Sequence, residues 1–372
     1  MSKEMVERRL LKNFDIGLVL LMLAITVYGL VVIYSASRGS GNESSVVQKQ
    51  LMWAIAGLIA FSITVSIDHK SFPRLYNWIY GFNLLLLAAV LVVGQAHKDA
   101  QRWLGFGPIS VQPSELAKIS IIITLAVFLT SQRDKLREFK TFALSFVHIA
   151  VPMLFILKQP DLGTSLVIVA IWLGMTFIAG VKIQHLALFL AVMLVVGVIG
   201  WNTPYVLKDY QKGRLTSFLN PEKDRLGSGY HLVQSRIAIG SGQVTGKGYL
   251  HGTQGQLGFI PENHTDFIFT VAAEEFGFMG AAPLILMYLM LLWKGLLIMS
   301  ETEDFTGRLI AAGIICMFLF HIFVNIGMTL GIMPITGVPL PLMSYGGSSL
   351  LANMIAMGVL VGVGMRRHKI NF

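Results

Sequence analysis

The sequence predicts an all-α, polytopic membrane protein, and three observations lead to that prediction. Of the 372 residues, 54% are hydrophobic and only 13% are charged, with a mean hydropathy of +0.67. This composition is too apolar for a soluble protein of that length. The charged residues also cluster between long uncharged runs. The single cysteine, Cys316, excludes sites built from several thiolates.

A membrane-spanning helix needs about 20 mostly apolar residues, and ten uncharged runs have roughly that length. They cover residues 14–34, 51–67, 78–94, 114–130, 142–157, 164–180, 185–201, 276–293, 310–330 and 349–365. Between the seventh and eighth runs lies one long stretch, residues 202–266, in which apolar positions alternate with glycine and charge. We expect partial helices there, folded against the membrane face. Residues 1–372 are therefore predicted to form one membrane domain with one large loop.

The distribution of basic residues predicts the orientation. Lys and Arg exceed Asp and Glu by 29 to 20, a net charge of +9. In a membrane protein such an excess reflects topology rather than nucleic-acid binding. Placing the N-terminus in the cytoplasm puts more than half of the basic residues on the inner side. Both termini are therefore predicted to be cytoplasmic, and the loop 202–266 extracytoplasmic.

Ionisable residues at membrane depth are costly, so those next to the spans are functional candidates. The fourth predicted span begins after Arg102 and Trp103, with Pro113 suited to a helix start. Glu115 and Lys118 follow three residues apart, on one helix face. An internal ion pair that only neutralises both charges is the alternative to a functional role, and the two are compatible.

Two turn-rich segments are further candidates. Asp161 stands between Pro160 and the sixth span, where it could serve a site or simply cap the helix. The segment 334–348 contains three prolines and ends in Ser344, Tyr345 and a glycine pair. Because this backbone cannot be helical, it must be shielded by protein or line a cavity. A binding site and a structural loop both satisfy that requirement.

Asp266 lies where a polar strip meets the eighth apolar span. A partly desolvated carboxylate at such a boundary suits a general base. Helix capping by Thr265 or Asp266 is an equal alternative, and His264 competes as the base. The glycines before this strip do not form a phosphate-binding loop, because Lys247 is followed by glycine instead of Ser or Thr.

Taken together, these blocks resemble the SEDS family (shape, elongation, division and sporulation proteins), and within it the rod-shape branch. The resemblance covers nearly the whole chain and rests on residues 102–103, 112–118, 159–163, 210–214, 230–235, 240–242, 246–248, 261–269, 274–277, 325–327 and 339–348.

The resemblance implies a ten-helix peptidoglycan glycosyltransferase that polymerises lipid II during cell elongation. The reaction would take place at the outer face of the bacterial cytoplasmic membrane. The essential acid of the family falls on Asp266, the expected general base. The expected substrate contacts are Arg102, Trp103, Glu115, Lys118, Asp161, Lys247, His264 and Ser344.

The resemblance also bears on cofactors and partners. Lys118 with Arg102 would support the departing pyrophosphate. The alternative is a divalent cation, Mg²⁺ or Mn²⁺, for which Glu262 and Glu274 are candidate ligands. The implied partners are lipid II, a class B penicillin-binding protein and the elongation machinery. A lipid II flippase and a non-catalytic scaffold are the rival functions.

Overall fold

The computed structural model describes residues 13–38, 43–97, 100–106, 109–203, 209–221, 227–256, 258–260 and 262–367. Ten helices in this part of the chain are long and apolar enough to cross a membrane, which confirms the predicted fold class. The spanning helices are α1 (Ile16–Ser37), α2 (Glu43–Ser66), α3 (Phe72–Val93), α4 (Pro113–Ser131), α5 (Phe139–Lys158), α6 (Leu162–Ala179), α7 (Ile183–Asn202), α11 (Ile268–Glu301), α12 (Phe305–Leu330) and α13 (Gly347–Met365).

The connection between α7 and α11 contains the expected partial helices. They are α8 (Asp209–Leu219), α9 (Ser228–Gly242) and the single turn α10 (Thr253–Gln256). Helix α9 packs on α11 and α12. Ser235 of α9 lies 2.6 Å from Thr270 Oγ1, oxygen to oxygen, and donates to the carbonyl of Thr329 at 2.8 Å. These bonds fix the loop against the end of the bundle.

The connection between α3 and α4 forms a small sheet that the sequence analysis did not predict. Strands β1 (Gln95–His97), β2 (Ala100–Phe106) and β3 (Ile109–Val111) pair in the order β1-β2-β3, all antiparallel. Leu104 pairs with Val111. The strands are too short to show a clear period in the sequence. The sheet holds Arg102 and Trp103 beside the start of α4.

Helix α11 differs from the predicted span in a way that matters for the site. The apolar run was predicted to begin at residue 276, whereas the helix begins at Ile268 and breaks at Gly277 (φ 61°, ψ −157°). The charges of Glu274 and Glu275 interrupt the hydropathy signal, but both side chains are buried. The segment before Gly277 is therefore an embedded half-helix that directly follows Asp266.

Burial separates the central helices from the peripheral ones. In the apolar stretches of α12 and α13, 72% and 83% of the residues are buried. The corresponding values for α3 and α7 are 17% and 11%. Large apolar side chains of α7, such as Leu188 and Leu194, are exposed. A helix that is apolar on all sides and packs weakly suits a lipid environment. The peripheral helices α3 and α7 are therefore expected to face lipid.

Candidate active site

A cavity of about 650 Å³ lies at one end of the bundle, where the α3–α4, α5–α6 and α12–α13 connections meet the turn before α11. This is the end predicted to be extracytoplasmic. The cavity brings together most of the residues proposed from sequence. Those that line it are Arg102, Trp103, Glu115, Asp161, Glu262, His264 and Asp266.

Asp266 sits on the cavity wall with its backbone held from two sides. Its N–H donates to the carbonyl of Glu262 at 3.1 Å, and Asn325 Nδ2 donates to the Asp266 carbonyl at 2.9 Å. A methyl group added to Gly337 would lie 3.5 Å from Asp266 Oδ2. The N-cap residue of α11 is Phe267, whose side chain cannot accept a hydrogen bond. Asp266 immediately precedes this N-cap position, so its carboxylate lies at the start of α11 as well as on the cavity wall.

His264 and Tyr345 lie together on the neighbouring wall. Their ring centroids are 5.3 Å apart, and the N–H of Tyr345 donates to the carbonyl of His264 at 2.9 Å. Nδ1 of His264 lies 3.1 Å from Asn263 Oδ1. Burial raises the pKa of the Tyr345 phenol, so this side chain is a neutral hydrogen-bonding group at physiological pH.

Arg102 and Asp161 both organise the turn between α5 and α6. Arg102 donates through Nε to the carbonyl of Gln159 at 2.8 Å and through Nη2 to the carbonyl of Pro160 at 2.5 Å. Asp161 accepts from the backbone N–H of Thr164 at 3.1 Å and from its hydroxyl at 2.9 Å. Asp161 is thus the N-cap of α6, as the simpler interpretation proposed. It also lines the cavity.

Glu115 and Lys118 form the predicted internal ion pair. Lys118 Nζ donates to both carboxylate oxygens of Glu115 at 3.0 Å and lies 3.1 Å from His321 Nε2. Lys118 is 2% exposed and Glu115 is 4% exposed. Glu115 and His321 line the cavity, and the ammonium group lies behind them. The charge of Lys118 is therefore shared with two neighbours beneath the cavity wall.

Ser344 braces the cavity from outside its lining. Its hydroxyl donates to the carbonyl of Thr265 at 2.7 Å and accepts from the N–H of Leu340 at 2.9 Å. The segment after α12 is thereby tied to the residue next to Asp266. This arrangement satisfies backbone groups that the prolines leave outside regular structure.

Lys247 and Glu274 lie in a separate network. Lys247 Nζ donates to Glu274 Oε1 at 2.7 Å, and Thr253 donates to the same oxygen through its N–H at 2.8 Å. The neighbouring carboxylate, Glu275, accepts from Ser35 of α1. These residues hold the segment 243–256 against the break in α11. They do not line the cavity that contains Asp266.

The two candidate metal ligands are consequently not brought together. Glu262 lines the cavity, whereas Glu274 belongs to the Lys247 network. The described residues contain no group of three or more His, Cys, Asp and Glu side chains placed to hold a metal ion.

Two basic residues of the cavity were not among the predicted substrate contacts. Arg214 of α8 reaches the cavity and donates through Nη1 to the carbonyl of Thr336 at 3.0 Å. His321 of α12 completes the Glu115–Lys118 cluster. Arg214 belonged to a motif that carried the resemblance, and His321 was an ionisable residue inside a span. Neither signal indicated which other residues they contact.

The described residues form a bundle of ten spanning helices with a charged cavity at one end. This is the architecture of a multi-pass membrane protein with a polar binding site. The sequence model described as cell cycle protein, for FtsW, RodA and SpoVE, matches residues 16–369. The peptidoglycan glycosyltransferase MrdB of Escherichia coli K12 is 39% identical over 360 residues, which cover 96% of this chain and 95% of MrdB. The peptidoglycan glycosyltransferase RodA of Treponema pallidum is 37% identical, with 95% and 98% covered.

Solved structures are similar as well. RodA of Thermus thermophilus matches with a TM-score of 0.70 and 29% identity, covering 96% of this chain and 98% of that one. A chain from a peptidoglycan synthase complex that coordinates polymerisation and crosslinking matches with a TM-score of 0.81 and 31% identity, covering 96% and 99%. The chain belongs to the FtsW/RodA/SpoVE family of cell cycle proteins, which confirms the resemblance drawn from its motifs.

Proposed function

We propose that this protein is a peptidoglycan glycosyltransferase of the elongation type, which polymerises lipid II at the outer face of the bacterial cytoplasmic membrane. The observation that carries the proposal is the carboxylate of Asp266 on the wall of a cavity that also contains two arginines. The names of MrdB and RodA support the reaction class.

The reaction joins the 4-hydroxyl of one sugar to the anomeric carbon of a second lipid II, and the bond to undecaprenyl pyrophosphate breaks. Asp266 accepts the hydroxyl proton as the general base. The leaving pyrophosphate gains negative charge, which nearby cations stabilise in the transition state. Arg102 and Arg214 face the cavity and supply that charge, while Lys118 contributes from behind Glu115.

The carboxylate-containing wall of the cavity also suits a divalent cation. Mg²⁺ usually binds through one or two carboxylates together with substrate phosphates, so a dense protein cluster is not required. Glu262 lines the cavity and would hold the ion together with the pyrophosphate oxygens. Such an ion would neutralise pyrophosphate charge, and Asp266 would remain the general base.

The partner that we propose is a class B penicillin-binding protein of the elongation machinery, which would crosslink the new glycan. The similarity to a chain of a complex that coordinates polymerisation and crosslinking supports this assignment. A lipid II flippase is the rival function, since buried charge pairs and interrupted helices also occur in transporters. A flippase, however, has no evident use for a base at one end of the bundle.

The test is glycan formation from labelled lipid II by the purified protein, with and without the proposed partner, comparing wild type with Asp266→Asn. The amide keeps the size of the side chain and removes its basicity. Asp134→Asn, an exposed carboxylate in the α4–α5 connection, is the matched control. We expect polymer from the wild type and the control only. Substantial polymer from Asp266→Asn would contradict the assignment of the base.

The rival functions are separated by a second measurement on the same proteins. Movement of labelled lipid II between the leaflets of vesicles, without glycan formation in any condition, would favour the flippase. A scaffold would give neither polymer nor movement, yet would still recruit the partner.

A further inference from the structure

Helix α12 presents two buried polar side chains one turn apart toward the cavity. His321 is 1% exposed and Asn325 is 0% exposed. Asn325 Nδ2 donates to the carbonyls of Val338 at 2.8 Å and Asp266 at 2.9 Å. His321 Nδ1 lies 3.0 Å from the carbonyl of Pro339. The helix therefore holds two consecutive carbonyls of the cavity wall.

Those carbonyls depend on side-chain donors. Residues 334–341 contain three prolines, which supply no N–H group and prevent regular pairing. Val338 and Leu340 are 2% and 1% exposed, so this backbone is also removed from water. A buried carbonyl that loses its donor is left with an uncompensated loss of hydration. The wall is expected to shift if His321 or Asn325 is removed.

The contact with Pro339 also determines the tautomer of His321. A carbonyl can only accept, so Nδ1 must carry the proton. In a neutral imidazole Nε2 is then an acceptor, which matches the Lys118 ammonium 3.1 Å away. Glu115 binds the other side of that ammonium. A continuous chain of hydrogen bonds thus runs from α4 to the carbonyl of Pro339.

We propose that His321 is a positioning residue for Asp266, acting through the segment 334–345. The imidazole fixes this segment relative to the charged pair on α4, and Gly337 within the segment lies against the Asp266 carboxylate. His321 thereby sets where the base stands relative to the substrate. This inference rests on the proposed glycosyltransferase function and assigns His321 no direct part in proton transfer.

The substitutions that test it are His321→Gln and His321→Leu. Glutamine can accept from Lys118 and donate to Pro339, whereas leucine can do neither. We expect His321→Leu to lower kcat about 10- to 100-fold, because small misplacements of reacting groups have effects of this size. KM for lipid II should stay within about threefold. His321→Gln should retain at least half of the wild-type kcat.

The matched control is His148→Leu. His148 is a second buried histidine in a spanning helix, and it bonds to Thr124 away from the cavity. Its loss tests for a general effect of removing a buried imidazole, and kcat should be unchanged in the folded fraction. If His321→Leu is not recovered as folded protein, His321→Ala takes its place.

Amide hydrogen exchange of residues 334–345 provides a readout independent of activity. Exchange should increase in His321→Leu and remain at the wild-type level in His321→Gln. A wild-type kcat in His321→Leu, or equal losses in both variants, would overturn the proposal. Both results leave the Asp266→Asn test untouched, so failure of this inference is distinguishable from failure of the proposed function.

Discussion

The contact between Lys247 and Glu274 allows a quantitative prediction of how Glu274→Ala changes the stability of the fold. Glu274 Oε1 accepts from Lys247 Nζ at 2.7 Å, from the N–H of Thr253 at 2.8 Å and from the N–H of Gln254 at 3.1 Å. The glutamate side chain is 1% exposed and the lysine side chain is 27% exposed. Glu274→Ala would leave two backbone N–H groups, the Thr253 hydroxyl and one partly buried cation without their acceptor.

The expected decrease in the free energy of unfolding of Glu274→Ala is at the low end of the range for buried ion pairs. Removing one partner of a buried ion pair costs about 3–5 kcal/mol, and the partial exposure of Lys247 points to about 3 kcal/mol. An unfolding entropy of about 2.1 cal/mol/K per residue gives a decrease in Tm of about 4 °C for a chain of 372 residues. Glu274→Gln keeps an acceptor oxygen, so its Tm should decrease by less than that of Glu274→Ala.

The assay is thermal unfolding of the purified protein in one detergent, followed by tryptophan fluorescence. Glu138→Ala, at an exposed residue before α5, is the matched control and should change Tm by less than about 1 °C. A cycle with Lys247→Met and Glu274→Gln measures the coupling directly, and about 1–3 kcal/mol is expected. Additive single effects, or an unchanged Tm in Glu274→Ala, would refute the role assigned to this pair.

Three further outcomes follow from the site and the opposite end of the bundle. Arg214→Ala should lower kcat about 10- to 100-fold, with partial recovery in Arg214→Lys, because the cation opposes developing pyrophosphate charge. Chelation of divalent cations separates the two sources of positive charge: the arginines alone predict unchanged polymerisation, whereas a bound cation predicts a loss that added Mg²⁺ or Mn²⁺ restores. Asp304 caps α12 by accepting from the N–H of Gly307 at 2.8 Å, and its Oδ2 lies 3.3 Å from Nε2 of His69. The nearby imidazole lowers the pKa of Asp304, and this effect outweighs desolvation. Its charge therefore stabilises the fold fully above about pH 4, and this contribution is lost as the pH falls through the lowered pKa. The difference in Tm between wild type and Asp304→Asn should shrink as the pH falls below about 4, where the carboxylate becomes protonated.

Each of these outcomes has a clear contrary result. Equal kcat in wild type and Arg214→Ala would remove the arginine from the reaction. Full activity in a chelator at all concentrations would exclude the cation. A Tm difference near zero for Asp304→Asn at every pH would show that the carboxylate acts as a helix cap without an electrostatic contribution, since Asn is an equally good cap.

Much of the architecture follows from local sequence. The apolar runs predicted ten spanning helices, because the thickness of the hydrocarbon region determines the length of an uncharged segment. The prolines of the segment 334–348 predicted non-helical backbone, and such backbone must be shielded because its polar groups cannot be left unpaired in lipid. Asp266, Arg102 and Asp161 were identified from their positions beside predicted spans, and the structure brings all three to one cavity.

The partners of the charged groups were decided by the tertiary structure. Lys247 pairs with Glu274 and not with the residues around Asp266, and Lys118 shares its charge with His321, which lies 203 positions away in the sequence. Arg214 reaches the cavity only because α8 folds back over the end of the bundle. Burial of a charge depends on which distant residues can neutralise it, and that pairing becomes defined only when the helices pack. Hydropathy is a property of each segment alone, so it determines where the helices form. Which residues meet in the site is determined by how those helices pack.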